Sequence, residues 1–137
     1  MGNLPVTFAA MKQSDPGFWD MMGPFFASRA IRKELGAAMS SDENYTWFVA
    51  RRGEDVAGFL ALDASGGRAT LRHVYTVPGH RGHGIVRELL DLCEAHAFGD
   101  ASLEYLTVVT NNAEMFEKRG YMHTGRRGRY AVMRREK

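Results

Sequence analysis

Between Ala69 and Val109 the sequence changes its hydrophobic period twice, and this constrains the fold more than any other feature. ATLRHVYTV reads as a strand, rich in β-branched and aromatic residues. From Ile85 the apolar residues fall at Leu89, Leu92, Cys93 and Ala97, a 3.6-residue stripe with Arg87, Glu88, Asp91 and Glu94 off it, and Gly99 ends the helix. LEYLTVV, from Leu103, is a strand again. Two strands joined by a helix become parallel or nearly parallel neighbours through a crossover connection. The stretch between the first strand and the helix, VPGHRGHG, holds Gly79, Gly82 and Gly84. The first turn of a helix carries N–H groups without internal partners and the positive end of the macrodipole, so it attracts anions. Glycines at Gly82 and Gly84 remove side chains that would screen those N–H groups, and Arg81 adds a forked cation. The pattern suits a phosphate, although the same glycines also serve a plain strand-to-helix turn.

The rest of the chain extends this unit into a mixed α/β fold. Pro5 to Met11 is expected as an edge strand, where a proline near the start is tolerated. Asp15 and Pro16 predict a helix start, Gly23 and Pro24 a break, and Phe25, Ile31, Leu35 and Met39 the stripe of a second helix ending near Gly36. YTWFVARR and DVAGFLALD predict a hairpin turning at RGED, with ATLRHVYTV joining the meander after Gly66 and Gly67. A short helix capped by Asn111 or Asn112 should run to Lys118 and stop at Gly120; Tyr121 to Thr124 and Tyr130 to Met133 close the chain as a strand pair. The total is a mostly antiparallel sheet of six to seven strands with about four helices, expected as one domain over residues 1–137. Cys93 is the single cysteine, the N-terminal segment has no basic region leading into a long apolar run, and no window nears the roughly 18 apolar residues of a membrane span. A cytoplasmic location is expected. The net charge of +2 demands no nucleic acid partner, although five of the eighteen basic residues crowd into RRGRYAVMRR.

The glycine spacing fits neither a dinucleotide fingerprint nor a P-loop. RGHGIV, Arg81 to Val86, resembles instead the acyl-CoA pyrophosphate loop of the GNAT superfamily of N-acyltransferases, whose pattern is Arg or Gln, two free positions, Gly, one free position, then Gly or Ala. Arg81 and Gly84 match; Val86 departs at the last small position. WFVARRGEDVAGFLAL is similar to the second and third strands of these enzymes, and NNAEMFEKRGY to their C-terminal helix, so the likeness covers roughly Tyr45 to Tyr121. The resemblance implies acetyl-CoA as cofactor, an unidentified amine on a small molecule or protein as acceptor, and fourth and fifth strands that splay apart. The pyrophosphate would lie on the N–H groups of Gly82, His83, Gly84, Ile85 and Val86 near Arg81, and the pantetheine beside the strand ending at Val77, around Val74 and Thr76. Asn111 would contact the cofactor arm, or act only as a helix cap.

Acyl transfer to an amine needs a proton acceptor and benefits from a donor to the departing thiolate. Relatives often use a tyrosine as donor where this chain has Phe116, which keeps the cofactor contact and loses the proton; Tyr121, Tyr105 or water would substitute, or the thiolate would leave unassisted. The fourth strand has no carboxylate, which leaves His73 as base and Glu104 as its alternative, each with an ordinary structural reading beside it. Tyr75 lines the acyl site or packs, and Phe18, Trp19, Phe25 and Phe26 wall the acceptor side or fill the core. His80 and His83 have no partners at zinc-ligand spacing, so no metal is expected. Two other functions stay open: a decayed CoA-binding domain, suggested by Val86 and Phe116, and a small RNA-binding module, suggested by the arginine cluster. A monomer or homodimer fits equally.

Overall fold

A computed structural model describes residues 4–137; the first three residues of the expected 1–137 domain lie outside the described residues. Seven strands form one sheet: β1 (Val6–Met11), β2 (Tyr45–Arg52), β3 (Asp55–Ser65), β4 (Arg68–Thr76), β5 (Tyr105–Thr110), β6 (Met122–Arg127) and β7 (Tyr130–Glu136). Four helices flank it: α1 (Phe18–Ala27), α2 (Arg29–Leu35), α3 (Ile85–Phe98) and α4 (Ala113–Glu117). The sheet order is β1-β2-β3-β4-β5-β7-β6, antiparallel except for the parallel pair β4·β5 that the α3 crossover joins. This is the mixed, mostly antiparallel α/β architecture that the periodicities predict. No helix among the described residues is long and apolar enough to cross a membrane.

The sheet buries both faces. On one, Leu71, Leu106, Val108 and Met133 meet Leu89, Leu90, Cys93 and Ala97 of α3 and Phe116 of α4. On the other, Trp47, Val49, Phe59 and Tyr75 meet Phe18 and Met22 of α1 and Ile31 of α2. Burying a large apolar side chain contributes about 1.5–3 kcal/mol, so Trp47, Phe18, Phe59 and Phe116, each almost wholly removed from water, anchor both layers.

Packing corrects several local expectations. Helix α1 runs through Gly23 and Pro24 and the break comes at Ser28, whose Oγ accepts the Ile31 N–H at 3.2 Å to start α2. The aromatic contacts of Phe25 with Phe59 and of Phe26 with Trp47 hold α1 on the sheet across the proline. Asp15 does not cap α1: its Oδ2 accepts the Lys12 N–H at 2.8 Å, and the helix starts after Gly17. In α3 the buried face carries Leu90 and Glu94, while Leu92 is 43% exposed, so the stripe sits further round the helix than the sequence suggested.

One irregularity in β4 shapes everything downstream. Ala61 pairs with Arg72 and Phe59 with Tyr75, so Leu60 alone faces both His73 and Val74. This is a β-bulge, and His73 takes a φ of 57°, a left-handed conformation costly for a residue with a Cβ. The extra residue reverses the alternation. Ala69 and Leu71 face α3, whereas Tyr75, which unbroken period two would place beside them, joins the α1–α2 face.

Candidate active site

Beyond the bulge β4 and β5 separate. Their pairing runs from Arg68 with Tyr105 to Leu71 with Val108 and stops there, leaving Arg72 to Thr76 and Val109 to Thr110 facing each other across a gap. The gap is the floor of a cleft of about 1200 Å³, whose lining includes the loop before α3 and Glu34 to Ala37 at the end of α2, the two joined by the Arg81–Glu34 ion pair. This is the splay expected of the fourth and fifth strands.

The loop before α3 has the geometry of an anion site. Gly82 and Gly84 lie at φ 81° and 76°, and a Cβ added to either would meet no atom within 4 Å, so backbone conformation, not crowding, selects glycine. Gly84 is the N-cap and offers no side chain to the first turn of α3. Among the described residues no main-chain acceptor serves the N–H groups of Gly82, His83, Gly84, Ile85 and Val86; the ladder resumes with Glu88 N–H donating to Gly84 O at 3.2 Å. Successive amides around left-handed glycines at a helix start form a nest for an anion. His80, in the 3-10 turn Pro78–His80, lines the same cleft with a buried Nδ1 that has no partner, a second polar atom suited to a bound cofactor. Nest, orphaned nitrogen and unpaired strand edges together fit an acyl-CoA.

Most of the expected cofactor contacts meet in this cleft: Val74, Thr76, Arg81, Gly82, Gly84, Ile85, Val86, Asn111 and Phe116 all line it. Arg81 is committed within the protein, its Nε donating to Thr76 O at 2.9 Å and its Nη2 to Glu34 Oε1 at 2.6 Å, with the guanidinium 5.6 Å from the Tyr75 ring. Asn112, not Asn111, is the N-cap of α4, and it makes no side-chain capping bond. Two residues depart from expectation. Val77 does not line the cleft, and its main chain is already used: the N–H donates to Ala57 O and the carbonyl accepts from His80 N–H, both at 2.8 Å. His83 is exposed and lies off the lining, so only its amide belongs to the nest.

The residues expected to handle protons are more scattered. His73 lines the cleft, but its Nε2 accepts the Ser40 N–H at 3.2 Å and its ring stacks against Trp47 (5.8 Å, 9° between planes) and Tyr45. Burial, reinforced by the Arg72 cation, lowers its pKa to about 4, so the ring is neutral at physiological pH and weakly basic. Glu104 precedes β5, at the paired end of β4 and β5 and away from the gap, because the splay opens the other end. Tyr121 is buried outside the cleft; its hydroxyl donates to Glu94 Oε2 at 2.9 Å, and burial together with the Glu94 charge pushes its pKa above the usual tyrosine range. Tyr105 lies under the Arg134 guanidinium, 4.0 Å from its ring centroid, and also outside the cleft. Phe18, Trp19, Phe25 and Phe26 pack on the sheet and line no part of it. Burial raises the pKa of Cys93 and keeps the thiol inert.

The cleft instead contains groups that sequence reasoning missed. Its two carboxylates are Glu34, from α2, and Glu114, which pairs with Lys118 at 3.4 Å. It also contains Tyr130, beside Tyr75, which the sequence had placed at the acyl site or in the packing. A Cβ on Gly36 would come within 2.7 Å of Tyr130 Oη, so the start of β7 closes against the end of α2. Glu34 lies in a segment with no motif and Tyr130 in a strand whose sheet position is not given by chain order; no local signal marked either.

The profile of the acetyltransferase (GNAT) family matches residues 12–121 of this chain. No curated protein matches it in sequence. Among solved structures the chain is similar to an acetyltransferase from Thermus thermophilus (18% identity, TM-score 0.71, 100% of each chain covered). It is also similar to an acyl-CoA N-acyltransferase from Pseudomonas aeruginosa (12% identity, TM-score 0.73, covering 96% of this chain and 99% of that one). A third is a GNAT family acetyltransferase from Elizabethkingia anophelis with acetyl-CoA bound (11% identity, TM-score 0.67, 96% and 98% covered). At these identities the structural likeness is one of fold. The family profile spans most of the chain, including the glycine loop, the splayed strands and α4, and the chain belongs to the acetyltransferase (GNAT) family.

Proposed function

We propose that residues 1–137 work as one acyltransferase domain that moves an acetyl group from acetyl-CoA to a primary amine by direct attack within a ternary complex. One observation carries this reading: the unpartnered amides of Gly82 to Val86 stand at the mouth of the gap where β4 and β5 stop pairing. When bound, the cofactor supplies an activated thioester carbonyl. The nest would hold its diphosphate, and the unpaired edge of β4 around Val74 would bind its amide groups and polarise the carbonyl, a contribution of about 3 kcal/mol per well-aimed donor.

Proton handling falls to residues of α2 and β7. Glu34 fits the role of attracting the acceptor ammonium and taking its proton, since it is the cleft carboxylate on the α2 side. It is released for that role when Arg81 turns from it toward the diphosphate. His73 positions the bulge and leaves the base to another group. Phe116 has no proton to give, so the thiolate leaves with a proton from water or from Tyr130, whose hydroxyl has no hydrogen-bond partner among the described residues. Tyr75 lines the acyl site while packing on Phe59 at 5.6 Å.

The test is calorimetry with CoA and acetyl-CoA, followed by thiol release with a panel of amines. Ligand at a hundred times its dissociation constant should stabilise the fold by about 2.7 kcal/mol. A folded chain that gives no heat with either compound refutes the proposal; binding without thiol release for any amine leaves a CoA-binding domain that does not catalyse.

A further inference from the structure

The end of α2 carries a row of cations that the acyltransferase reading does not use. Arg29, Arg32, Lys33 and Gly36 are spaced i, i+3, i+4 and i+7, which puts them on one helix face. With Ala37 they line a shallow groove of about 390 Å³. Gly36 and Ala37 also line the main cleft, so the groove adjoins it at the end of α2. Tyr130 Oη meets Gly36 at this junction. Arg127 pairs with Tyr130 across β6·β7 and so shares its face of the sheet, and Arg126 and Arg129 flank the same turn.

These charges are unanswered. Among the described residues no carboxylate lies within ion-pair distance of Arg29, Arg32, Lys33, Arg126, Arg127 or Arg129; Arg51, Arg52, Arg68 and Arg87 share that property, and what sets Arg29, Arg32 and Lys33 apart is that they line one groove beside the cleft. The dipole of α2 explains Arg32 and Lys33 in its last turn. It does not explain Arg29, which sits in the first turn where a cation is unfavourable, or Arg127 on another element. A chain of net charge +2 thus gathers three unpaired cations in a groove that adjoins its cleft, with Arg127 opposite the cleft-lining Tyr130 on β6·β7.

We infer that the acceptor is an amine whose far end carries an anion, a carboxylate or phosphate, held by Arg29, Arg32, Lys33 and Arg127 while the amine points into the cleft toward Glu34. This rests on the acyltransferase reading above. A free ω-amino acid, an aminoalkyl phosphate and the N-terminus of an acidic peptide all present this chemistry.

The experiment uses the full chain saturated with acetyl-CoA and follows thiol release. ω-Amino carboxylates of three to six carbons, aminoalkyl phosphates and an Asp-rich peptide with a free N-terminus are compared with chain-matched amino alcohols and diamines. The expected result is at least a tenfold higher kcat/KM for the anion-bearing acceptors, an advantage that shrinks as salt rises. The pair R32E/K33E, and separately R127E, should raise KM for those acceptors about tenfold with kcat nearly held and the CoA dissociation constant unchanged. Preference for the free amino acids or for the peptide identifies the source of the anion, and either outcome supports the inference. Diamines used as well as amino carboxylates, charge reversal without effect on KM, or no anion-bearing amine acetylated or bound by the CoA-saturated chain would each overturn it. Calorimetry with CoA on the same samples separates the two levels: no CoA binding refutes the acyltransferase reading itself, whereas CoA binding with a cationic preference refutes only the acceptor class.

Discussion

Gly84→Ala separates what the glycine loop does for the fold from what it does for the ligand. Gly84 has a φ of 76°, and a Cβ there would touch nothing within 4 Å, so the cost to folding is conformational alone. A left-handed non-glycine residue costs about 1–2 kcal/mol, which for a domain of this size lowers Tm by roughly 3–8 °C. The cost to binding is different in kind. Gly84 lines the cleft and caps α3, and the N–H groups of Gly82 to Val86 converge only while the backbone keeps its left-handed turns. If the alanine holds the turn, its methyl group enters the space where the diphosphate would lie; if the backbone relaxes, the amides no longer converge. Losing one hydrogen bond to a charged oxygen costs about 1.5–3 kcal/mol, which is about a 10- to 150-fold weaker Kd for CoA. Gly79→Ala is the control, because Gly79 has no left-handed φ, no neighbour within 4 Å of an added Cβ and no place in the cleft lining. It should leave both Tm and Kd nearly unchanged. Calorimetric titration with CoA beside thermal melts decides the matter: a Gly84→Ala protein that melts lower yet binds CoA as tightly as the parent would place the diphosphate elsewhere.

Other perturbations reach other parts of the molecule. Glu34→Gln should lower kcat by about 10²-fold or more, the usual contribution of a positioned base, while CoA still binds; an unchanged kcat would exclude Glu34 as the base. Glu94 is 6% exposed and accepts from Arg119 at 2.7 and 3.1 Å, Arg135 at 3.1 Å and Tyr121 at 2.9 Å. Glu94→Ala would strand these donors at a cost of about 3–5 kcal/mol, a Tm loss of roughly 10 °C or more; a loss below about 3 °C would show that the cluster does not tie α3 to α4 and β7. The lowered pKa of His73, about 4 against 6.5 for the free ring, means that the unfolded chain takes up its proton first. His73 stability is therefore complete above pH 6.5 and declines as pH falls toward 4. His73→Asn, which suits a left-handed φ and does not titrate, should flatten urea-derived stability over that window, and an unaltered slope would show that other groups set it.

The parts of the fold legible in the sequence are those written locally. The glycine loop, the α3 crossover, the Gly53–Glu54 hairpin and the αL ending of α2 at Gly36 each depend on a few consecutive residues whose conformational preferences agree with the tertiary structure. Failures came where packing outweighed a local signal. Gly23 and Pro24 carry a strong break signal, yet buried Phe18 and Met22 and the contacts of Phe25 and Phe26 keep α1 continuous. Glu94 looked like a solvent-facing charge because its partners, Arg119, Tyr121 and Arg135, lie 25 or more residues away. The candidate site divides in the same way. Its glycine loop, Arg81 to Val86, is one contiguous stretch whose left-handed turns are a local property, whereas another part of its lining joins α2 to β7 through Gly36 and Tyr130, 94 positions apart in the chain.

The bulge at His73 shows what the structure asks of the residue that the sequence offered as base. A strand of unbroken alternation would turn Tyr75 toward α3 with Leu71 and could extend its pairing with β5 past Val108. One inserted residue instead sends Tyr75 to the opposite face, and the parallel ladder ends where the bulge begins. The left-handed φ that this requires is secured by the Ser40 amide on Nε2 and by the Trp47 and Tyr45 rings. Those same contacts exclude water from the imidazole and occupy the lone pair that a base would use. On the proposed mechanism the device that opens the cleft consumes the basicity of the residue that builds it, and the proton would pass to a group delivered by another element; of the cleft's carboxylates, Glu34 and Glu114, each paired with a cation, Glu34 is the one whose partner, Arg81, a bound diphosphate would draw away.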